Sequence, residues 1–152
     1  MKVFSFTIKN TWLHHAEHGW GNGYVAVPPG HPLYGKHYQD KIPVKNLEQI
    51  RFNGDYLGLL SMIGKDFKDG IQLSLIVDVH AGITLSEPIS TFRNKPKRIP
   101  NNYWVFGFDT CHSGDGMTNW TKEAVIKETR KFKKIIKNIN EIIEEGGANE
   151  IK

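Results

Sequence analysis

The chain has 152 residues, a formal net charge of +4 and one cysteine. That length gives one ordinary domain able to bury a core, and 39% apolar with 24% charged residues excludes a disordered chain. The mild charge admits an anionic ligand but excludes a surface built to coat extended nucleic acid, and the lone Cys111 excludes an internal disulfide.

The first ten residues, MKVFSFTIKN, carry no apolar run of signal-peptide length. No stretch approaches the roughly 20 apolar residues that span a bilayer. The expectation is a cytoplasmic protein with no membrane partner.

In chain order, Lys2–Lys9 alternates Val3, Ser5 and Thr7 against Phe4, Phe6 and Ile8, which predicts a half-buried strand. A loop with His14, His15 and His18 follows. Tyr24–Val27 reads as a short strand stopped by Pro28-Pro29-Gly30. The stretch from His31 to Lys45 reads as loop, and Leu47–Phe52 as a short strand.

Asp55–Phe67 has helical spacing, with Asp55 as its N-cap. Leu73–Val79 is an apolar, β-prone run expected to be a strand, on which Asp78 and His80 would share a face. A basic, proline-punctuated loop spans Pro88–Pro100. Tyr103–Asp109 is an aromatic strand that breaks into Thr110–Gly116.

From Thr121 to Glu145, Val125, Phe132, Ile135, Ile136, Ile139, Ile142 and Ile143 form one apolar stripe among lysines and glutamates. That stripe predicts an amphipathic helix closed by Gly146-Gly147. Its basic residues read as a solvated face. The whole is expected to be α+β: one domain over residues 1–152, mainly antiparallel sheet with a long C-terminal amphipathic helix.

Polar chemistry concentrates in two segments, Val77–Thr84 and Phe106–Asp115. Asp109 leaves a strand end, and His112 and Asp115 follow in a glycine-bearing loop that could bring them to one point with His80. Two chemistries need that set. Neutral imidazoles and carboxylates hold a divalent metal with an open water position, and a His–Asp pair serves as general acid and base without one. The candidate catalytic residues are therefore His80, Asp109, His112 and Asp115.

Neither arrangement is a named motif: there is no HExxH, CxxC pair, P-loop or GxSxG. Cys111 sits beside His112, but neighbours in an extended segment point apart, so the ring is poorly placed to activate the thiol. His31, fixed between prolines, joins Tyr34 and Trp104 as a candidate ligand contact. Arg93, Lys95 and Arg98, within four cations in six residues, are candidate phosphate contacts on a loop.

Three blocks carry a resemblance: Gly23-Tyr24-Val25-Ala26-Val27-Pro28-Pro29-Gly30-His31-Pro32-Leu33-Tyr34-Gly35, Val79-His80-Ala81-Gly82-Ile83-Thr84, and Trp104 through Asp115. Together they resemble a family of small proteins encoded by tailed phages and prophages, with the pattern GYVxVPxGHPLYG, VHGGxTxS and WxxGFDxxHxGD. This chain departs from it at Ala81, where the pattern has glycine.

The resemblance implies a shared site at His31, His80, Asp109, His112 and Asp115, and the cytoplasm of an infected bacterium as the setting. In that setting the expected role is an accessory, anti-defence protein acting on a nucleotide-like or phosphoester ligand by hydrolysis. The alternatives are a nucleotide-signal-binding protein that sequesters without turnover, and a protein-interaction module. The apolar stripe of the last helix leaves room for a homo-oligomer.

Overall fold

A computed structural model describes residues 2–11, 18–45 and 70–144. The alternating N-terminal segment forms β1 (Phe4–Lys9), and the glycine-led run after it forms β2 (Gly21–Val27). Their antiparallel register pairs Phe6 with Tyr24 and Ser5 with Val25. The aromatic run forms β6 (Trp104–Phe108), which pairs antiparallel with β2, Val25 opposite Phe106.

Two-residue β3 (Lys41–Ile42) and β4 (Ile71–Gln72) pair with each other, and β5 (Leu85–Pro88) runs antiparallel to β6. The main sheet is thus ordered β1-β2-β6-β5. The expected class, α+β with a mainly antiparallel sheet and one long C-terminal helix, is the observed one.

Leu73–Val79, expected as a strand, is instead a helical turn, α1 (Leu73–Ile76), followed by irregular chain. The Leu73 and Ser74 N–H groups donate to the carbonyls of Asp40 and Tyr38, both at 2.9 Å, and the Val77 N–H returns to the Leu73 carbonyl at 3.2 Å. Carbonyls supplied by a distant stretch of chain thereby override a β-prone composition. The sequence predicts no strand at β5, whose Pro88 opens the expected Pro88–Pro100 loop. Leu85-Ser86-Glu87-Pro88 has little β character of its own, and its proline is tolerated because β5 is a sheet edge.

Helix α2 (Lys122–Lys137) starts at Thr121, whose hydroxyl accepts the Ala124 N–H at 3.2 Å. It ends earlier than its apolar stripe. Asn138 leaves the helical conformation, and Ile139–Glu141 tightens into a 3₁₀ turn that keeps Ile139 and Ile143 buried. The expected Leu47–Phe52 strand, the Asp55–Phe67 helix, His14, His15 and the closing Gly146-Gly147 lie outside the described residues.

Both faces of the sheet are covered. On one face Val25, Phe106 and Phe108 meet Val125, Phe132 and Ile136 of α2, with the Phe108 and Phe132 rings 6.1 Å apart. The approach depends on Gly23, where a Cβ would collide with the Thr129 hydroxyl and the Phe108 ring. On the other face Phe6, Tyr24, Ala26 and Val105 are capped by Ile89, Ile99 and Tyr103 from the β5–β6 connection. That connection is the basic, proline-punctuated loop, so it serves as a lid on a second core. Among the described residues no helix is long and apolar enough to cross a membrane.

Candidate functional site

The site is built where β6 runs out. Asp109 follows Phe108, and its Oδ1 accepts the Cys111 N–H at 3.0 Å, which turns the chain out of the sheet. Its Oδ2 accepts the Thr84 hydroxyl at 2.9 Å, and the Thr84 N–H donates to the Gly107 carbonyl at 2.9 Å. These bonds fasten the 77–84 segment to the end of β6.

Three residues on, the loop closes on itself. The His112 N–H donates to Asp115 Oδ2 at 3.0 Å, and the Asp115 N–H returns to the His112 carbonyl at 3.0 Å. Gly114, at φ +91°, makes the turn.

This folding yields two histidine–carboxylate pairs. His80 Nε2 lies 3.0 Å from each oxygen of Asp115. His112 Nε2 lies 3.1 Å from Asp109 Oδ1. The two imidazoles meet edge to face with centroids 5.8 Å apart. The pairs differ in burial: the side chains of His80 and Asp115 are 21% and 5% exposed, those of His112 and Asp109 38% and 31%. They also differ in fit. The His112–Asp109 contact is within ion-pair distance, yet the buried His112 Nε2 makes no hydrogen bond among the described residues.

His80 is held from two further directions. Its ring packs on Trp120 at 4.2 Å between centroids, and its N–H donates to Glu128 Oε2 of α2 at 2.7 Å. Glu128 is in turn paired with Lys131 at 3.0 Å. The chain leaves His80 through two left-handed residues, Ala81 at φ +55° and Gly82 at φ +83°. Gly82 adopts this freely. Ala81 is strained there, at roughly 1–2 kcal/mol for an L residue.

With no strand at 73–79, Asp78 and His80 do not share a strand face as expected, and Asp115 from the other segment takes the His80 ring. Sequence reasoning missed Glu128 and Trp120. Glu128 is indistinguishable in sequence from the solvated face of a helix. Trp120 had a signal, since it directly precedes the N-cap Thr121 and so occupies the apolar position that staples onto the first turn.

The candidate ligand contacts are not gathered with the pairs. His31 is buried, accepts the Leu33 N–H at Nδ1 (3.1 Å) and sets Nε2 against the Ile136 carbonyl at 3.2 Å. Ile136 lies two turns of α2, about 12 Å, beyond Glu128. Burial lowers the pKa of His31, opposed by the Ile136 carbonyl.

Trp104 begins β6 about 17 Å along the strand from Asp109. Its indole N–H donates to the Lys36 carbonyl at 2.9 Å, and its ring lies 6.3 Å from that of Tyr34, whose hydroxyl donates to the Asn102 carbonyl at 2.9 Å. Lys95 is turned onto the Ile99 carbonyl at 2.6 Å, Arg98 onto the Ser5 carbonyl of β1 at 2.8 Å, and Arg93 is exposed.

Among the described residues no three His, Cys, Asp or Glu side chains converge as a metal requires. Each carboxylate faces its own imidazole instead. Burial pushes the Cys111 thiol up, and the Asp109 and Asp115 charges push the same way, so little thiolate forms at neutral pH.

No family model, no curated protein and no solved structure matches the chain.

Proposed function

We propose that this protein is a phosphoester hydrolase acting on a nucleotide-like ligand, in the phage accessory, anti-defence setting implied by its three sequence blocks. The observation that carries the reading is the pairing of two carboxylate-backed imidazoles 5.8 Å apart. Hydrolysis of a phosphoester needs two proton transfers on opposite sides of phosphorus, and two neighbouring imidazoles of opposite protonation supply both.

His80 is assigned the base. With Nε2–H directed at Asp115, its Nδ1 is the lone-pair nitrogen, and no described residue bonds it. It takes a proton from water as the new P–O bond forms. His112, more exposed and loosely held by Asp109, gives its proton to the departing ester oxygen as the old P–O bond breaks. Asp115 and Asp109 orient the rings and stabilise their charged forms.

Carboxylates at this spot disfavour the alternative of pure anion sequestration. Asp109, Asp115 and Glu128 would repel a phosphate that is merely held, whereas an acid–base pair needs two of them.

The test is incubation of the purified protein with cyclic di- and mononucleotides and NAD-derived signals, followed by mass spectrometry of the free ligand. New masses formed by the protein and lost in His80→Ala and His112→Ala support the hydrolase. A ligand that disappears and returns intact on heating establishes sequestration instead. A panel left wholly untouched points to an interaction module and overturns the reading.

A further inference from the structure

Helix α2 has two working flanks. At 3.6 residues per turn, Val125, Thr129, Phe132 and Ile136 face the sheet, while Glu128 and Lys131 fall on the flank that meets His80. Ile126, Arg130, Lys133 and Lys137 fall on the opposite flank, above β1. There Ser5, Arg130, Lys133, Lys134, Lys137 and Asn138 line a groove of about 490 Å3. A smaller hollow of about 160 Å3 lies beside it, sharing Ser5 and Arg130 and lined also by Thr7 and Ile126.

Arg130, Lys133, Lys134 and Lys137 stand at i, i+3, i+4 and i+7, so their charges crowd one surface. No carboxylate lines the groove, and among the described residues none of the four has an ion-pair partner. On the other flank Lys131 is neutralised by Glu128. Attraction to the carbonyl end of the helix accounts for Lys134 and Lys137 in the last turn, but not for Arg130 and Lys133. A fifth cation comes from outside the helix: Arg98 crosses from the β5–β6 loop to the carbonyl of Ser5, a groove-lining residue, at 2.8 Å. Unpaired like charges repel, and an anion bridging them removes that cost.

We propose that this groove binds a short chain of linked phosphates, as carried by a nucleoside triphosphate, with the phosphates along Arg130–Lys137 and the nucleoside toward Ile126 and Thr7. The dimensions match. The volume is that of a small-molecule site. The cations extend over about 10 Å of helix, enough for two or three phosphates and too little for a duplex. The proposal is independent of the hydrolase reading, since the body of α2 separates the groove from His80.

The experiment is calorimetric titration of the full chain at low salt with ATP, tripolyphosphate and a ten-nucleotide thymidine oligomer. ATP and tripolyphosphate should bind, and the double variant Arg130→Gln/Lys134→Gln, exposed on both counts and checked for fold by circular dichroism, should weaken both by about tenfold or more. His80→Ala and a control double variant off the groove, Lys127→Gln/Lys131→Gln, should leave both unchanged. The proposal is overturned by no binding at about 1 mM, by an undiminished affinity in the groove variant, by an equal loss in the control, or by an oligomer that binds more tightly than ATP.

Discussion

His80 touches both carboxylate oxygens of Asp115 at 3.0 Å, although the two residues lie on segments that share no strand. Asp115 also accepts the His112 N–H, so one carboxylate orders both the ring of one histidine and the backbone of the other. On the hydrolase reading, Asp115→Asn should lower turnover by about 10²–10⁴-fold, because a neutral amide no longer stabilises the His80 imidazolium. Asp109→Asn, at the looser and more exposed pair, should cost less. The check is the rate of product formation in the two variants beside the wild type: a loss in Asp109→Asn larger than in Asp115→Asn would contradict this ranking.

Cys111 lies within the same loop, and Asn10 Nδ2 approaches its sulfur at 3.9 Å. With its thiol pushed up by burial and by two carboxylates, it should react slowly with iodoacetamide at pH 7 and faster only in alkaline solution. Cys111→Ser should leave turnover unchanged. A rate loss of the size seen for His80→Ala would reassign the nucleophile.

Ala81→Gly should stabilise the fold. The left-handed φ of +55° costs alanine roughly 1–2 kcal/mol, while glycine adds about 0.4–1 kcal/mol of unfolded-state entropy, leaving a net gain of about 0.5 kcal/mol. Gly82→Ala, at φ +83°, reverses both terms and should destabilise by about 0.5 kcal/mol. Urea denaturation of the two variants reads the pair directly, and a gain in Gly82→Ala would contradict it.

The pH dependence of stability should carry the mark of His31. Its neutral form fits the site, with Nδ1 accepting from Leu33 and Nε2–H directed at the Ile136 carbonyl, and burial holds its pKa below the ordinary 6.5. The unfolded chain therefore binds the proton more readily. Stability is fully present above pH 6.5 and falls as pH drops below that value toward the folded pKa. Unfolding midpoints between pH 5 and 8 should show this slope in the wild type and a shallower one in His31→Gln.

Periodic segments were legible. The alternation of β1 and the stripe of α2 each mark one buried face, and the apolar runs of β2 and β6 mark strands buried on both. What failed was what neighbours decide. Leu73–Ile76 coils because Asp40 and Tyr38 offer carbonyls to it, and Leu85–Pro88 becomes a strand because β6 offers an edge. At the site, His80, Asp109, His112 and Asp115 were recognisable as a group. Their division into two pairs was not, since it depends on a reciprocal turn between His112 and Asp115 and on Thr84 bridging to Asp109. Residues such as His31 and Trp104 looked like ligand contacts because a polar side chain engaged by distant backbone reads the same in sequence as one left available.

The strand order has a bearing on biosynthesis. A ribosome delivers β1 and β2 early, and they can zip as a local hairpin, but β5 has no neighbour until β6 arrives to lie between it and β2. Such long-range insertion is slow and is completed only after most of the chain has emerged. Both imidazoles acquire their carboxylates after that step, and Glu128 reaches His80 only when α2 docks. A nascent chain that stops short of α2 therefore cannot hold His80 from both Asp115 and Glu128, and that arrangement should form late and abruptly rather than by degrees.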